Sequence, residues 1–383
     1  MAKKREQSFL QKAMGGTTGS YGWPMWCLVA FFCLVLGGCS EINYYRQAAL
    51  GQWHLLAQRR DLQELIAAEQ TPADLKQRLE LVQDIRDFAS AELLLPDNRS
   101  YRSYAELKRP YAVWNVVAAP SRSVDPVTWC FPVAGCVPYR GFFDETAAQH
   151  FARRLVEQGY DVQVYGVVAY STLNWFDDPV LNTFIHYPEA HLAGLIFHEL
   201  AHQQLYIKDD STFNESFAQM VELVGVERWL KLRQQENKMS AYRQQRSRRQ
   251  EFIDLVLLTR QDLEAVYHSA MTEAAQLAAK EQLLSEFHRR YAMLKQQWGG
   301  DGRFDAWVNR PLNNSHFALM ATYHYYLPAF DALLEQSGGD LRSFYRKVAD
   351  LADLPSSQRD AALQALLPAV AENAVSVPTL STH

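Results

Sequence analysis

The 383-residue chain lacks the features that define several classes of protein. Its 18 glycines and 15 prolines are too few for a collagen-like or low-complexity chain, and a hydrophobic content of 48% is too high for general disorder. It has no excess of basic residues, and its net charge of −5 argues against a nucleic-acid partner bound by phosphate neutralisation. A long apolar run occurs only near the N-terminus. These absences indicate a globular body, of one large or two ordinary domains, behind an N-terminal segment of a different kind.

The N-terminal segment has the pattern of a secretory signal. Residues 1–22 carry four basic side chains and one acidic one, and an apolar run at 23–36 precedes two glycines and Cys39. The run is shorter than the about 20 residues that a membrane-spanning helix needs. The Leu-Gly-Gly-Cys ending resembles the lipobox of bacterial lipoproteins, which implies lipidation of Cys39 and, from the serine after it, sorting to the outer membrane. We expect residues 1–38 to be a signal peptide and the mature protein to be an outer-membrane lipoprotein facing the periplasm; an uncleaved anchor and a start at Met14 are the alternatives.

Cysteine is scarce in the mature body. Three of the five cysteines lie in the N-terminal segment, which leaves Cys130 and Cys136, separated by five residues. A lone close pair in an oxidising periplasm favours a small disulfide loop. Two unpaired cysteines are the alternative, and a zinc site is weakly indicated because no histidine is near them in the sequence.

The apolar pattern predicts a mostly helical α+β body with one small sheet in its first half. Strands are predicted at 111–118 and 161–169, and a long helical region at 248–298. No Gly/Ser-rich linker divides the chain, so we expect one body. Its predicted parts are the N-terminal helices (39–100), the sheet with the metal-binding core (101–235) and a helical C-terminal part (236–370), before a polar tail (371–383).

A short motif carries the chemistry. Residues 198–202 read His-Glu-Leu-Ala-His inside an apolar stretch that we expect to be a helix. Positions i and i+4 of a helix lie on one face, so His198 and His202 can present two imidazoles to one metal ion. Glu199 lies beside them and can reach a metal-bound water. Two histidines, one carboxylate and an open fourth position hold hydrolytic zinc, so the motif predicts one Zn²⁺ per chain with Glu199 as the catalytic base.

The third ligand is expected from a second motif. Residues 213–218 read Phe-Asn-Glu-Ser-Phe-Ala after a short polar break. The break allows a second helix to return and to bring Glu215 to the open side of the metal. Thr212 and Glu215 also fit a capping box, in which the glutamate would only satisfy backbone groups. Glu222, seven residues later on the same helix face, is the reserve ligand.

Together the two motifs resemble the zinc signature of gluzincin aminopeptidases, whose ligand glutamate sits in Asn-Glu-Gly-Phe-Ala. Here Ser216 stands at the glycine position and the spacing is shorter. Most of residues 40–350 resembles a bacterial family of aminopeptidase-like lipoproteins, and the segments 129–141 and 171–179 contribute to that similarity. The resemblance implies a zincin-like metallopeptidase fold with a helical extension and hydrolysis of peptides, and it leaves exo- or endo-cleavage open.

The resemblance also implies a mechanism. Zinc would lower the pKa of its bound water, and Glu199 would take the proton and pass it to the leaving amine. Gluzincins stabilise the developing oxyanion with a tyrosine or histidine from the helices after the metal motif. We choose Tyr323 for this role, with His316 as the alternative; packing in the core is the competing interpretation for both.

Substrate-binding residues are expected just before the metal helix. In zincins an edge strand there binds the substrate backbone by strand addition, which gives Ser171 and Thr172 this role. An ordinary strand that ends in a polar turn is the alternative. Arg140 could bind a substrate carboxylate or pair with Asp177 or Asp178. Asp177, Asp178 and Glu222 are candidates for binding the N-terminal amine of an aminopeptidase substrate.

The sequence therefore predicts a zinc-dependent peptidase, an aminopeptidase by resemblance, that acts on peptides in the periplasm and is tethered to the membrane by its N-terminal lipid. The alternative is a non-catalytic envelope-assembly or scaffold lipoprotein that retains a zincin fold. An intact Glu199 weighs against it. Zinc-dependent hydrolysis of a non-peptide amide, such as a cell-wall fragment, is a third possibility.

Overall fold

The computed structural model describes residues 25–367 except 133, 134, 170, 174 and 325; the side chains of 25–40, 236 and 321–324 are also outside it. By internal contacts the chain divides into two units, Met1–Ala49 and Leu50–His383, and every contact given below lies within the second. Most of the predicted signal peptide, the side chain of Cys39 and the predicted tail lie outside the described part. Over the part of the chain that is described, no helix has both the length and the apolar character needed to cross a membrane.

Helices make up most of the described chain. In chain order they are α1 (Met25–Ala57), α2 (Leu62–Ala67), α3 (Ala73–Ala91), α4 (Glu145–Glu157), α5 (Glu189–Gln204), α6 (Ser211–Leu232), α7 (Glu236–Tyr267), α8 (Glu273–Gln297), α9 (Asp305–Val308), α10 (Asn314–His324), α11 (Leu327–Glu335), α12 (Leu341–Ala352) and α13 (Ser356–Leu366).

The strands are short and form small sheets. They are β1 (Arg60–Asp61), β2 (Ser103–Ala105), β3 (Val113–Pro120), β4 (Trp129–Phe131), β5 (Gly135–Val137), β6 (Arg140–Phe142), β7 (Tyr160–Val167) and β8 (Val180–Leu181). The order β6-β3-β7 is antiparallel throughout, and β4 and β5 form a hairpin. In the order β1-β2-β8 the second pair is parallel.

The mostly helical architecture with small sheets agrees with the prediction, but two details were wrong. The described residues form three sheets instead of one, because β1, β2 and β8 are only two or three residues long and give little period-two signal. The region 248–298 is two helices, α7 and α8. The chain breaks between them at the N-cap Thr272, whose hydroxyl accepts a hydrogen bond from the backbone N of Ala275 at 3.3 Å.

Two apolar clusters stabilise the body. The first joins α3, α5, α6 and the C-terminal helices α11, α12 and α13, and the second joins α7 and α8 with the segment that leads into α10. Close packing of α5 and α6 requires Gly225: a Cβ atom there would lie 2.5 Å from the ring of Phe197 and 2.8 Å from Leu93. This contact sets how near the two motif-bearing helices approach.

Candidate metal centre

Helices α5 and α6 bring three potential metal ligands together. His198 and His202 lie one turn apart on α5, and Glu215 lies near the start of α6. Oε2 of Glu215 is 3.4 Å from Nε2 of His198 and 3.8 Å from Nε2 of His202. One ligand atom from each residue lies within 4.8 Å of the other two. The structure thus brings together the three residues that the sequence predicted as ligands.

The donor set is chemically suited to Zn²⁺. Imidazole nitrogen and carboxylate oxygen are common zinc donors, with bonds of about 2.0–2.2 Å. In a tetrahedral site such bonds place neighbouring donor atoms roughly 3.4 Å apart, close to the separations between the Glu215 carboxylate and the two imidazoles. Three protein donors leave a fourth position for water, as in catalytic zinc sites.

Asn214, the residue before the glutamate, closes the loop between the two helices. Its Oδ1 accepts a hydrogen bond from the backbone N of Ile207 at 2.8 Å, and its Nδ2 donates to the carbonyl of Ile207 at 2.7 Å. Asn214 is fully buried, so these two bonds satisfy an amide that would otherwise be costly to bury. Ser216, at the glycine position of the gluzincin motif, is buried and accepts a hydrogen bond from the backbone N of Tyr326.

The capping-box interpretation of Thr212 and Glu215 is wrong. Helix α6 starts at Ser211, two residues earlier than a Thr212 cap requires, and its N-cap is Asp210, whose Oδ1 accepts a hydrogen bond from the backbone N of Phe213 at 3.0 Å. The buried Arg359 of α13 pairs with the other carboxylate oxygen of Asp210 at 2.7 Å. With the cap supplied by Asp210, the Glu215 side chain points to the two imidazoles.

Glu222, predicted as the reserve ligand, lies behind His198 instead. Its Oε2 is 3.2 Å from Nδ1 of His198, while Nε2 faces Glu215. A carboxylate on the far nitrogen fixes the tautomer and the orientation of a metal-binding imidazole. Gly194 leaves the necessary room, since a Cβ atom there would lie 3.2 Å from Cγ of Glu222. The corresponding Nδ1 of His202 is buried and has no hydrogen-bond partner among the described residues.

The ionisation states of the three ligands follow from burial and mutual contacts. Burial alone would lower the pKa of His198, but hydrogen bonds with Glu215 and Glu222 raise it well above its usual value. Burial lowers the pKa of His202 to about 4. Burial opposes ionisation of Glu215, yet His202 and then His198 lower its pKa overall. A metal ion needs a neutral imidazole and an ionised carboxylate, so it has a proton to displace only from His198.

Glu199 is placed for acid–base chemistry. It is half-buried on α5, next in sequence to the first histidine. Burial raises its pKa to about 7; His198 opposes the shift, and the carboxylates of Glu215 and Asp178 add to it. A carboxyl group with a pKa near neutrality can both accept and release a proton at physiological pH.

The predicted substrate-binding residues Ser171 and Thr172 are not in a strand. Strand β7 ends at Val167, and Thr172 lies in the following loop. Its backbone N and its Oγ1 donate to the carboxylate of Asp178 at 3.0 and 2.7 Å, and Oγ of Ser171 accepts from the backbone N of Leu173 at 3.2 Å. The expected edge strand at this position is therefore wrong, because local side-chain bonds form a turn instead.

Asp178, a predicted amine-binding residue, is buried and fully engaged. Besides Thr172 it accepts a hydrogen bond from Nε2 of Gln203 at 3.3 Å, and burial raises its pKa to about 6. The other predicted aspartate, Asp177, lies 3.9 Å from Arg99. Arg140 is buried on β6 with its guanidinium 4.9 Å from the Phe151 ring; its predicted substrate and aspartate partners stay predictions.

The disulfide loop contacts the connection between the two ligand helices. Cys130 and Cys136 form a disulfide across the β4–β5 hairpin. The backbone N of Cys136 donates to Oδ1 of Asp209 at 2.6 Å, in the loop that precedes α6. Gly135 has a φ of +75°, and a Cβ atom there would lie 2.4 Å from the same oxygen. The hairpin therefore contacts the loop that leads into α6, the helix that carries Glu215.

Both predicted oxyanion donors, Tyr323 and His316, lie in α10. The side chain of Tyr323 lies outside the described part. His316 is buried against Asn313 and Trp307, in the region of the second apolar cluster. Tyr139 was not singled out from the sequence, although burial, to which the carboxylates of Glu215 and, more weakly, Glu199 add, raises the pKa of its phenol well above the usual value. The signal available was its place three residues after Cys136, in the segment that docks on the inter-helix loop.

Comparison with known proteins adds one finding to this geometry. The family model described as "Putative aminopeptidase" matches residues 43–363. The chain belongs to this family. The match includes α5, α6 and all the site residues described above. No curated protein and no solved structure matches the chain.

Proposed function

We propose that the protein is a zinc-dependent peptidase with a zincin-like metal centre, acting on peptides in the periplasm and removing residues from their N-terminus. The observation that carries the proposal is the convergence of His198, His202 and Glu215 within ligand distance of one another, with Glu199 on the adjacent helix position. Membership of a family named for aminopeptidase activity supports peptides as the substrates.

Glu199 and Glu222 have different roles in the proposed reaction. Zinc, when bound, would supply Lewis-acid activation of water and of the scissile carbonyl. Glu199 accepts a proton from the attacking water and delivers it to the leaving amine, for which a pKa near 7 is suitable. Glu222 orients the His198 ring so that Nε2 faces the position where the metal would bind. These roles require no residue outside α5 and α6.

A donor for the developing oxyanion is also required, and Tyr139 supports this role better than Tyr323 or His316. Like any tyrosine below its pKa it is protonated at neutral pH, and the upward pKa shift extends that state to higher pH, so the hydroxyl can donate a hydrogen bond. Its electrostatic neighbours include both Glu199 and Glu215. Tyr206 shares that neighbourhood, with its ring 6.4 Å from that of His202, and is the second choice.

For the location, we propose lipidation of Cys39 and attachment to the outer membrane from the periplasmic side. The support is the Leu-Gly-Gly-Cys sequence after a basic and apolar segment. The disulfide between Cys130 and Cys136 agrees with an oxidising compartment. Radiolabelled palmitate incorporation into the wild type, but not into a Cys39→Ala variant, tests this part; equal labelling of both would contradict it.

The function is tested by a Glu199→Gln variant. We expect it to bind zinc like the wild type and to lose peptide cleavage by about 10³-fold or more, because the amide cannot accept the proton. Zinc content and chelator-sensitive cleavage of a mixed peptide library measure the two properties. Glu227→Gln, on the solvent side of α6, is the control.

Three outcomes are informative. Release of single N-terminal residues by the wild type supports an aminopeptidase, whereas internal cleavage supports an endopeptidase. Full activity of the Glu199→Gln protein would contradict the assigned base. Bound zinc without cleavage of any peptide would favour the envelope-assembly role.

A further inference from the structure

Two large aromatic side chains are exposed on a loop that Asp178 joins to α5, the helix that carries His198 and His202. Trp175 and Phe176 lie in the loop between β7 and β8, with 66% and 46% of their surfaces exposed. Adjacent exposed rings of this size cost free energy in water, and exposed apolar surface of this kind marks a binding site more often than a scattered single side chain does.

The loop that carries the rings is held in place. Thr172 contacts the Asp178 carboxylate through both its backbone N and its hydroxyl, and its carbonyl accepts from the backbone N of Trp175 at 3.0 Å. A residue outside the loop also holds it, since Nη1 of Arg59 donates a hydrogen bond to the carbonyl of Asp177 at 2.8 Å. The rings therefore project from a fixed backbone, so a ligand meets a preorganised surface.

The loop is attached on the side of α5 where Glu199 lies. Asp178 accepts a hydrogen bond from Gln203 Nε2, and Gln203 is four residues after Glu199. Residues i and i+4 are neighbours on one helix face, so the loop is anchored one turn, roughly 6 Å along the axis, from the proposed base.

We propose that Trp175 and Phe176 bind a large apolar side chain of the peptide substrate, next to the bond that is cleaved. This inference rests on the proposed function. The patch is small and bordered by the charged pair Arg99–Asp177, with both side chains substantially exposed. A charged border that begins at the next residue, Asp177, fits one substrate side chain with its polar backbone, and it is unsuited to insertion in a lipid bilayer.

The test compares peptides that carry Phe, Leu, Ala or Glu beside the scissile bond. The full-length protein in detergent should prefer Phe and Leu over Ala by about 10- to 100-fold in kcat/KM. Trp175→Ala and Phe176→Ala should each reduce that preference by at least about fivefold, mainly through a higher KM for the Phe and Leu peptides. Trp53→Ala is the matched control, because Trp53 is 69% exposed on α1.

Several results would overturn the inference. One is an unchanged preference in the Trp175→Ala and Phe176→Ala proteins. Another is a variant that keeps the wild-type selectivity but no longer sediments with phosphatidylethanolamine–phosphatidylglycerol vesicles. That result would show that the loop contacts the membrane instead of the substrate.

Failure of the proposed function is separated by binding measurements on the Glu199→Gln protein. Calorimetric titration with the Phe and Ala peptides measures affinity without turnover. Tighter binding of the Phe peptide that depends on Trp175, in a protein whose wild type cleaves nothing, supports the binding surface and contradicts the peptidase. Cleavage without any apolar preference supports the peptidase and contradicts the binding surface.

Discussion

The helix pairs α5–α6 and α7–α8 are both two helices joined by a short connection, yet they bury polar residues for different purposes. In α5–α6 the buried polar side chains are His202, Gln203, Asn214, Ser216 and Gln219. In α7–α8 they are Thr259, Gln276 and Lys280. In the first set, His202 is one of the three potential metal ligands, Asn214 bonds the backbone of Ile207 in the loop before α6, and Gln203 bonds Asp178.

The second set contacts separate places. Thr259 donates to the carbonyl of Leu255 in the preceding turn, Gln276 donates to the carbonyl of Tyr267 at the end of α7, and Lys280 binds Asp161 of β7 at 2.5 Å. Each bond satisfies one group or ties one element to another. The difference teaches that a candidate active site is distinguished by titratable side chains that converge, as those of His198, His202 and Glu215 do, and not by the number of buried polar groups.

The largest expected effect is on the scaffold. Phe252 is 1% exposed in α7, stacks on Phe304 with ring centroids 4.1 Å apart and meets Phe287 and Trp307 edge-on. Phe252→Ala should lower the free energy of unfolding by about 3–5 kcal/mol through lost apolar burial and a cavity. Urea unfolding measures this change, and the folded fraction should keep its zinc.

Leu258→Ala is the control for Phe252→Ala, since Leu258 is on the same helix but 44% exposed. Its free energy of unfolding should change by less than about 1 kcal/mol. Loss of zinc from folded Phe252→Ala protein would show that the two helix pairs are not separable in function.

The next effect concerns the oxyanion donor. Tyr139→Phe removes one hydroxyl and should lower kcat by about 100-fold while zinc content and KM change little, because the hydrogen bond is made mainly in the transition state. Tyr291→Phe, which removes a hydroxyl bonded to Asp305 near the second apolar cluster, is the matched control. Equal kcat in wild-type and Tyr139→Phe proteins would return the role to Tyr323 or Tyr206.

The smallest effect is expected for zinc affinity when Glu222, which lies behind His198, is changed. Glu222→Gln keeps the size of the side chain but removes the charge that faces Nδ1 of His198. Zinc affinity should fall about 10- to 100-fold, as for other carboxylates that orient a metal-binding histidine. Competition with a chelator of known affinity measures it, and the Glu227→Gln protein should behave as the wild type. A Glu222→Gln protein with unchanged affinity would mean that this contact does not orient the ring.

Local periodicity accounts for what the sequence predicted about the site. The pairing of His198 and His202 depends only on helix geometry, and the return of Glu215 needs only a short loop and a second helix. The capping alternative failed because Asp210, two residues before Thr212, is the better placed cap. The Thr272 N-cap between α7 and α8 was also a local signal, but the continuous charged and apolar pattern around it masked the break.

Contacts between distant parts of the chain account for what the sequence did not predict. Tyr139 lies between β5 and β6, and the disulfide hairpin that precedes it contacts Asp209 in the loop before α6. Asp178 is joined to α5 through Gln203. Neither contact has a sequence signature, because it depends on how separate elements pack. The role of Glu222 likewise depends on the close approach of α5 and α6.

The most direct test of the metal centre is the zinc content of purified protein after dialysis against metal-free buffer, measured by inductively coupled plasma mass spectrometry. We expect one zinc ion per chain in the wild type and in the Glu199→Gln protein, and almost none in a His202→Ala protein that remains folded by circular dichroism. A wild type without zinc, or a His202→Ala protein that holds as much zinc as the wild type, would contradict the assignment of His198, His202 and Glu215 as ligands.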